Sequence, residues 1–281
     1  MSEVDLHLHS TASDGECPPE EVVARAARAG LSAVALTDHD TLDGVAAAIA
    51  AGSRLTVRVI GGCEFSVAAP WGEMHVLGYF LSPDSTPLQE FLAARRTDRE
   101  RRGRLMVDRL RGLGVTIDVE DLLEEAGRGA IGRPHVARAL VKRGAATSVN
   151  DAFDRFIGRG KHAFVEKVLP TFREVADLVH RVGGVVAAAH LKERGTRSVL
   201  RRLKEEGLDA VETRHPSHDP DLRARLTDHA LALGLLRTGG SDWHGDPALG
   251  ETHAPIGSQQ VPGEWLDRLE ASRPSSAPAL S

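Results

Sequence analysis

The stretch VDLHLHSTASDGE, residues 4–16, decides how the rest of the chain is read. Its first six residues alternate in the manner of a β-strand, and alternate strand residues point to the same face. His7 and His9 therefore project side by side, with Leu6 and Leu8 on the other face. Two imidazoles at that spacing suit one metal ion, and Asp14 follows in the same stretch. Whether this is a site or a coincidence depends on how the other strands end.

Working outward, PPEEVVARAARAG reads as a helix with prolines at its start, acids in its first turn and glycine at its end. SAVALTDHD reads as a buried strand whose polar residues gather at its C-terminal end, and LTVRVIGGCEFS and MHVLGYFL as further strands. From about Pro87 to His162 only helical patterns appear. The alternation then resumes through the helix TFREVADLVHRVGG, the strand VVAAAH, the strand LDAVETRH and the strand LLRTGGSDWHG. Repeated βα units argue for a parallel sheet or barrel. The expected organisation is an α/β barrel formed by residues 1–86 and 163–270, a small helical insertion over 87–162, and a disordered tail over 271–281.

In parallel βα architectures ligands bind at the C-terminal ends of strands, and these strands end alike. The second carries Asp38, His39 and Asp40, the third Glu64, the fourth His75. VVAAAH ends in His190, AVETRH in Glu212 and His215, and the last strand runs into Asp242 and His244. Taken singly, each has a bland reading as a cap, a turn residue or a satisfied core histidine. Together they describe a polynuclear metal site at one rim. Mixed imidazole and carboxylate donors suit Zn, Mn or Fe without choosing among them.

The bulk properties are those of an ordinary soluble globular protein with a sizeable core. The chain has 281 residues, 41% of them hydrophobic and 27% charged, a net charge of -5, thirteen histidines and one tyrosine. No apolar run approaches the ~20 residues needed to span a bilayer, and no secretory leader is evident. With Cys17 and Cys63 alone there is no disulfide framework. Both read as structural, and the cytoplasm is the simplest location. The charge balance gives no global nucleic-acid signature. Locally, eight arginines fall between Arg95 and Arg111. They form either a solvated helix face or a landing strip for RNA that would weaken with salt.

DLHLHSTASDG, TDHDT, CEFS with MHVLGYF, AAAH and TGGSDWHG resemble the PHP (polymerase and histidinol phosphatase) family of metal-dependent phosphoesterases. IGRPHVARAL, DAFDRFIGRGKHAFV and ETRHPSH are similar to the branch holding nucleoside 3',5'-bisphosphate phosphatases, AMP phosphatases and the 5'-to-3' exoribonuclease RNase AM. The resemblance implies a distorted (β/α)7 barrel with a helical insertion, and two to three divalent ions. On that pattern His7, His9 and Asp242 bind the first ion, and Glu64 bridges it to a second completed by His75 and His190. Asp14, His39 and His244 hold a third. Asp38 or Asp40 is expected either to orient an imidazole through its other nitrogen or to cap a helix.

The resemblance further implies that Arg133 and His135 of GRPH reach over the metal rim. Arginine suits phosphate because its planar fork donates two hydrogen bonds at once, although capping of the local helix is the alternative. His215 is expected to contact phosphate or protonate the leaving oxygen; His218 is not counted. Two departures stand out: AAAHL replaces the more common His-Pro, and Thr213-Arg214 replaces a valine and an aromatic. Arg214 either adds charge near the pocket or points outward. The implied activity is hydrolysis of nucleotide phosphate monoesters, foremost the 3'-phosphate of nucleoside 3',5'-bisphosphates, and attack on short RNA from its 5' end, with no membrane or obligate protein partner. Phosphatase action on AMP or histidinol phosphate, and a non-catalytic metal- or RNA-binding role, are the alternatives.

Overall fold

The computed structural model of the chain describes residues 3–126, 131–245 and 254–274. It divides into two compact units, Met1–Gln89 with Leu169–Ser281, and Glu90–Val168. The expected tail lies, beyond residue 274, outside the described residues.

The first unit is built on one sheet of eight strands: β1 (Glu3–Leu8), β2 (Ala33–Leu36), β3 (Arg58–Ala69), β4 (Gly72–Tyr79), β5 (Val185–Ala188), β6 (Ala210–Arg214), β7 (Leu236–Gly239) and β8 (Val261–Pro262). The order is β7-β6-β5-β4-β3-β2-β1-β8. β1, β2 and β3 run parallel, as do β5, β6 and β7. β4 is antiparallel to both its neighbours, and the two-residue β8 is antiparallel to β1. The reversal at β4 has a simple cause. β3 pairs with β4 out to Ala69 and Gly72, leaving only Pro70 and Trp71 between them, and a parallel crossover needs about a dozen residues.

The sheet curls until its edges meet. After β7 the Asp242 N–H donates to the His7 carbonyl and the His9 N–H to the Trp243 carbonyl, both at 3.0 Å. This is the barrel expected from the sequence, nearly closed. The approach depends on Gly240, where a Cβ would lie 2.4 Å from His7 Cβ and 2.5 Å from its backbone nitrogen. Only glycine leaves that space.

Side chains from every strand fill the barrel, among them Leu6, Ala35, Ile60, Leu77, Val185 and Ala210, with Trp265 of α10 (Gly263–Ala271) packed against them. Leu8 belongs to a second cluster, with Val22 of α1 (Pro19–Arg28), Leu36 and Ala48 of α2 (Val45–Leu55). Leu6 and Leu8 thus part company, contrary to the simple alternation. The register between β1 and β2 shifts between Asp5 and Leu8, and such an extra residue re-aims the side chains beyond it. α7 (Phe172–Arg181), α8 (Arg197–Glu205) and α9 (Pro220–Leu233) complete the unit. Each is capped by a side-chain oxygen one residue before it, from Thr171, Thr196 and Asp219.

The second unit is helical, with most of α3 (Thr86–Gly112), then α4 (Val119–Ala126), α5 (Arg133–Lys142), α6 (Val149–Ala152) and a π-helical turn at Phe153–Ile157. It has its own core, including Met106, Leu110, Leu122, Val136 and Leu140. The segment around Phe164 belongs here because arginines of α3 hold it. Arg102 Nε donates to the Val165 carbonyl at 2.8 Å, and the Arg109 guanidinium donates to the Phe164 carbonyl.

Candidate metal centre

Glu64 organises the rim. It lies in β3, and the alternation of that strand points its carboxylate into the barrel, where it is fully buried. Its Oε2 is 3.2 Å from His7 Nε2, His9 Nε2 and His39 Nδ1. Its Oε1 is 2.9 Å from His190 Nε2 and 3.0 Å from His75 Nδ1. One carboxylate therefore faces five imidazoles delivered by β1, β4 and the residues following β1, β2 and β5.

Two further carboxylates extend the cluster. Asp242 Oδ1 lies 3.3 Å from His7 Nε2 and 3.2 Å from His9 Nε2, and its Oδ2 lies 3.2 Å from His215 Nε2. Asp14 Oδ1 is 3.3 Å from His244 Nε2, and its Oδ2 is 3.8 Å from His39 Nε2. His7, His9, Asp14, His39, Glu64, His75, His190, Asp242 and His244, picked out from the sequence, thus come together with His215. Donor atoms converge to within 4.8 Å of one another in overlapping groups: His9, Asp14, His39 and His244; His7, His9, Glu64 and Asp242; His39, Glu64 and His75.

The donor set fits divalent cations. Both ring nitrogens of His9 and Nδ1 of His75 are buried without a hydrogen bond, although carboxylate oxygens lie close by. Buried polar atoms left so are rare and call for an explanation, and these point toward a shared centre. The electrostatics agree. Burial favours a neutral Glu64, yet the imidazoles of His39, His7 and His75 hold its carboxyl well below the usual range. Burial likewise opposes charge on His9 and His75, but Asp242 and Glu64 raise His9 to about 10, and Glu64 and Glu73 raise His75 to about 10. Burial pushes His39 down to about 3, the neutral form that a metal requires. The buried carboxylates demand positive charge, and imidazolium is what the chain alone can offer.

The backbone at the rim is also unusual. Asp40, His190 and Asp242 hold φ of 49°, 25° and 51°, a left-handed conformation that costs non-glycine residues about 1–3 kcal/mol each and clusters at functional sites.

Glu212, at a strand end in the sequence, joins the site although the expected ligand set does not include it. It is fully buried, its Oε1 lies 3.1 Å from His7 Nδ1, and its Oε2 accepts the His190 N–H at 2.7 Å. It orients one imidazole and pins the backbone of another. The available signal was its place in AVETRH: a carboxylate inside a barrel strand must have a partner. Glu212 thus stands where an orienting role of the kind expected of Asp38 or Asp40 is needed for His7. Asp38 instead accepts from the Ser10 N–H, Ser10 Oγ and Ser13 Oγ, each at 2.7 Å, tying down the loop that carries Asp14. Asp40 Oδ1 accepts the Ser66 N–H at 3.0 Å.

His218 lies beside His215, ring centroids 5.4 Å apart, with Nε2 buried and without a hydrogen bond. Arg214 turns away from the cluster, stacking on Trp265 and donating to the Gln260 carbonyl. Cys17 and Cys63 are free, and burial pushes the Cys63 thiol well up. Among the described residues no helix is long and apolar enough to cross a membrane.

Arg133 and His135 sit at the start of α5 in the helical unit. His135 is buried, and its Nδ1 accepts the Gly132 N–H at 2.9 Å. The arginines of α3 are largely engaged in structure. Arg102 and Arg109 hold carbonyls, Arg111 holds the Ile117 carbonyl and Asp118, and Arg95 pairs with Asp98.

A family model described as the PHP domain matches residues 5–232. The 5'-3' exoribonuclease Rnm of Salmonella typhimurium is 33% identical over 85% of this chain and 84% of its own length. The 3',5'-nucleoside bisphosphate phosphatase of Chromobacterium violaceum is 31% identical over 92% and 91%. Among solved structures, one from Bifidobacterium adolescentis, described as a metal-dependent phosphoesterase, superimposes with a TM-score of 0.82 at 30% identity, covering 96% of each chain. An amidohydrolase from Chromobacterium violaceum, with bound sulfate and no metal, gives 0.78 at 28% identity over 97% of each.

Proposed function

The chain belongs to the PHP domain family and is a metal-dependent phosphoesterase, and on that premise we propose that it removes the 3'-phosphate of nucleoside 3',5'-bisphosphates. The observation that carries this reading is Glu64, whose two carboxylate oxygens face different sets of imidazoles across one buried rim.

In this reading His7, His9 and Asp242 hold one cation, His75 and His190 a second, and Asp14, His39 and His244 a third, with Glu64 shared between the first two. Mn, Fe and Zn all suit these donors. Such ions, when bound, acidify water and neutralise phosphoryl oxygens during in-line displacement. The chain's own residues do the rest. Glu212 accepts from His7 Nδ1, so that Nε2 faces the centre as an acceptor. His215, whose Nε2 lies beside Asp242, contacts the phosphate or protonates the departing oxygen. No protein nucleophile is needed.

The same chemistry serves short RNA attacked from its 5' end, because holding a 5'-phosphate also positions the next phosphodiester. The identity to exoribonucleases of Salmonella typhimurium and Haemophilus influenzae supports that extension.

The test is release of inorganic phosphate from adenosine 3',5'-bisphosphate, AMP and histidinol phosphate, with 5'-phosphorylated RNA alongside, Mn present and His9→Ala as the blank. Turnover dependent on His9 and highest for the bisphosphate is expected. Preference for histidinol phosphate would overturn the substrate class, and a metal-loaded protein inert toward every substrate would leave a binding module.

A further inference from the structure

ETRHPSH, residues 212–218, places two histidines in one tight turn. The His218 N–H donates to the His215 carbonyl at 3.0 Å and closes it. Arg223, near the start of α9, holds the same turn. Its Nε donates to the His218 carbonyl at 2.8 Å, and its Nη2 donates to the His215 carbonyl at 3.1 Å and to Gln259 Oε1 at 2.6 Å. Both rings are buried, their centroids 5.4 Å apart. What each ring nitrogen meets then decides where the proton sits.

The Ser217 N–H can only donate, and it meets His215 Nδ1 at 3.0 Å. The Ser217 hydroxyl lies 2.8 Å from the same atom. Nδ1 is thus the acceptor of this ring. Its proton belongs on Nε2, which lies 3.2 Å from Asp242 Oδ2. His218 is the mirror case. Its Nδ1 lies 3.3 Å from the Thr213 carbonyl, a group that can only accept, so its proton belongs on Nδ1. The assignment bears on a further group of converging donors at the rim, formed by His7, Glu212 and His215. A cation shared by all three would need a lone pair from His215. The Nδ1 lone pair is taken by Ser217, and Nε2 carries the proton.

We propose that Ser217 is a positioning residue that fixes the His215 proton on Nε2, so that His215 faces the rim as a hydrogen-bond donor and takes no cation. The group of His7, Glu212 and His215 is then not a further metal position. The inference rests on the reading of Asp242 as a ligand of the centre, which keeps Oδ2 a carboxylate oxygen able to accept. A donor fixed in this way can pass its hydrogen bond from Asp242 to a phosphoryl oxygen without turning its ring.

NMR of the ring nitrogens in isotope-labelled, Zn-loaded protein tests this, with the His215 signals assigned by their loss in His215→Gln. His215 should show a proton-bearing Nε2 and a bare Nδ1, and a nitrogen–nitrogen coupling across the hydrogen bond from the Ser217 amide. His218, with the opposite pattern, serves as the internal reference. Ser217→Ala keeps the amide donor and should keep the His215 pattern. Ser217→Pro has no amide donor; it should lose the coupling and shift part of the proton population to Nδ1. Circular dichroism and thermal unfolding control for folding, and if Ser217→Pro fails to fold the coupling in the parent decides. Elemental analysis should find the same metal content in His215→Gln as in the parent. A His215 proton on Nδ1, an Nε2 that gives up its proton as Zn is loaded, or absence of the coupling overturns the inference. So does an unchanged pattern in folded Ser217→Pro, or one cation fewer in His215→Gln. None of these readouts needs turnover, so a parent inert toward every nucleotide overturns the proposed substrate and leaves this inference to the spectra.

Discussion

The barrel rim and the helical unit both crowd charge-bearing side chains together, but they resolve the crowding in opposite ways. At the rim, Glu64, Asp242 and Asp14 share imidazoles that converge on them, and His9 is buried with neither ring nitrogen hydrogen-bonded. In the helical unit several arginines disperse, each toward its own acceptor: Arg102 to Val165, Arg109 to Phe164, Arg143 to Asp121. Charges that converge without partners mark a place built for a ligand. Charges that each end on a carbonyl or carboxylate mark structure, and the arginine-rich α3 belongs largely to that second kind. Arg133 lies instead against the rings of Phe153 and Phe164.

The largest effect expected at the rim comes from Glu64→Gln. Removing the shared carboxylate charge should cut kcat/KM about a thousandfold, equivalent to several kcal/mol of lost charge stabilisation, and lower the metal content measured by elemental analysis. Unchanged metal content would break the comparison on its functional side. Chelation of the intact protein should act in the same direction: turnover stops, Tm falls because the cation stabilises only the folded state, and both recover on adding Mn. Glu212→Gln sharpens the picture, since it leaves the proposed ligands in place. It should weaken metal affinity about ten- to a hundredfold, with activity restored at excess Mn.

In the helical unit Arg102→Met should behave as a structural change. It strands the Val165 carbonyl next to a buried side chain, at a cost of about 1–3 kcal/mol. Denaturant unfolding should register that loss while the metal content stays at the parent level. The smallest effect is on the outside of the barrel, where His180 Nε2 lies 2.7 Å from Asp209 Oδ2. That hydrogen bond raises the His180 pKa above its ordinary 6.5. The folded state thus binds a proton more tightly than the unfolded chain, so the pair's contribution is full below about pH 6.5 and fades as pH rises through the folded value. The Tm difference between parent and His180→Ala should therefore shrink from pH 6 to pH 9; a constant difference would show that the pair does not titrate.

How much of this was legible before the fold is clear from particular residues. His7 and His9 stand out because strand alternation is a local property, and His39, His190 and Asp242 because each follows just beyond a strand in a repeating βα pattern, whereas Glu64, read as a strand end, lies inside β3. The reversal of β4 departs from the parallel βα pattern, since the two residues between β3 and β4 leave no room for a crossover. The split between Leu6 and Leu8 was hidden because a register shift belongs to a pair of strands and not to one.

The sequence by itself determined the rim: which residues stand at the strand ends, and that their chemistry is that of a metal cluster. Period and element order are encoded within a few residues, and a barrel carries every strand end to the same side. Only the tertiary structure decided who holds whom. Glu212 finds His7 across 205 positions, Asp38 finds Ser10 and not an imidazole, and Arg133 finds two phenyl rings in place of an acid. Such pairings depend on how distant segments are brought to within a few ångströms. No local pattern of residues records that distance.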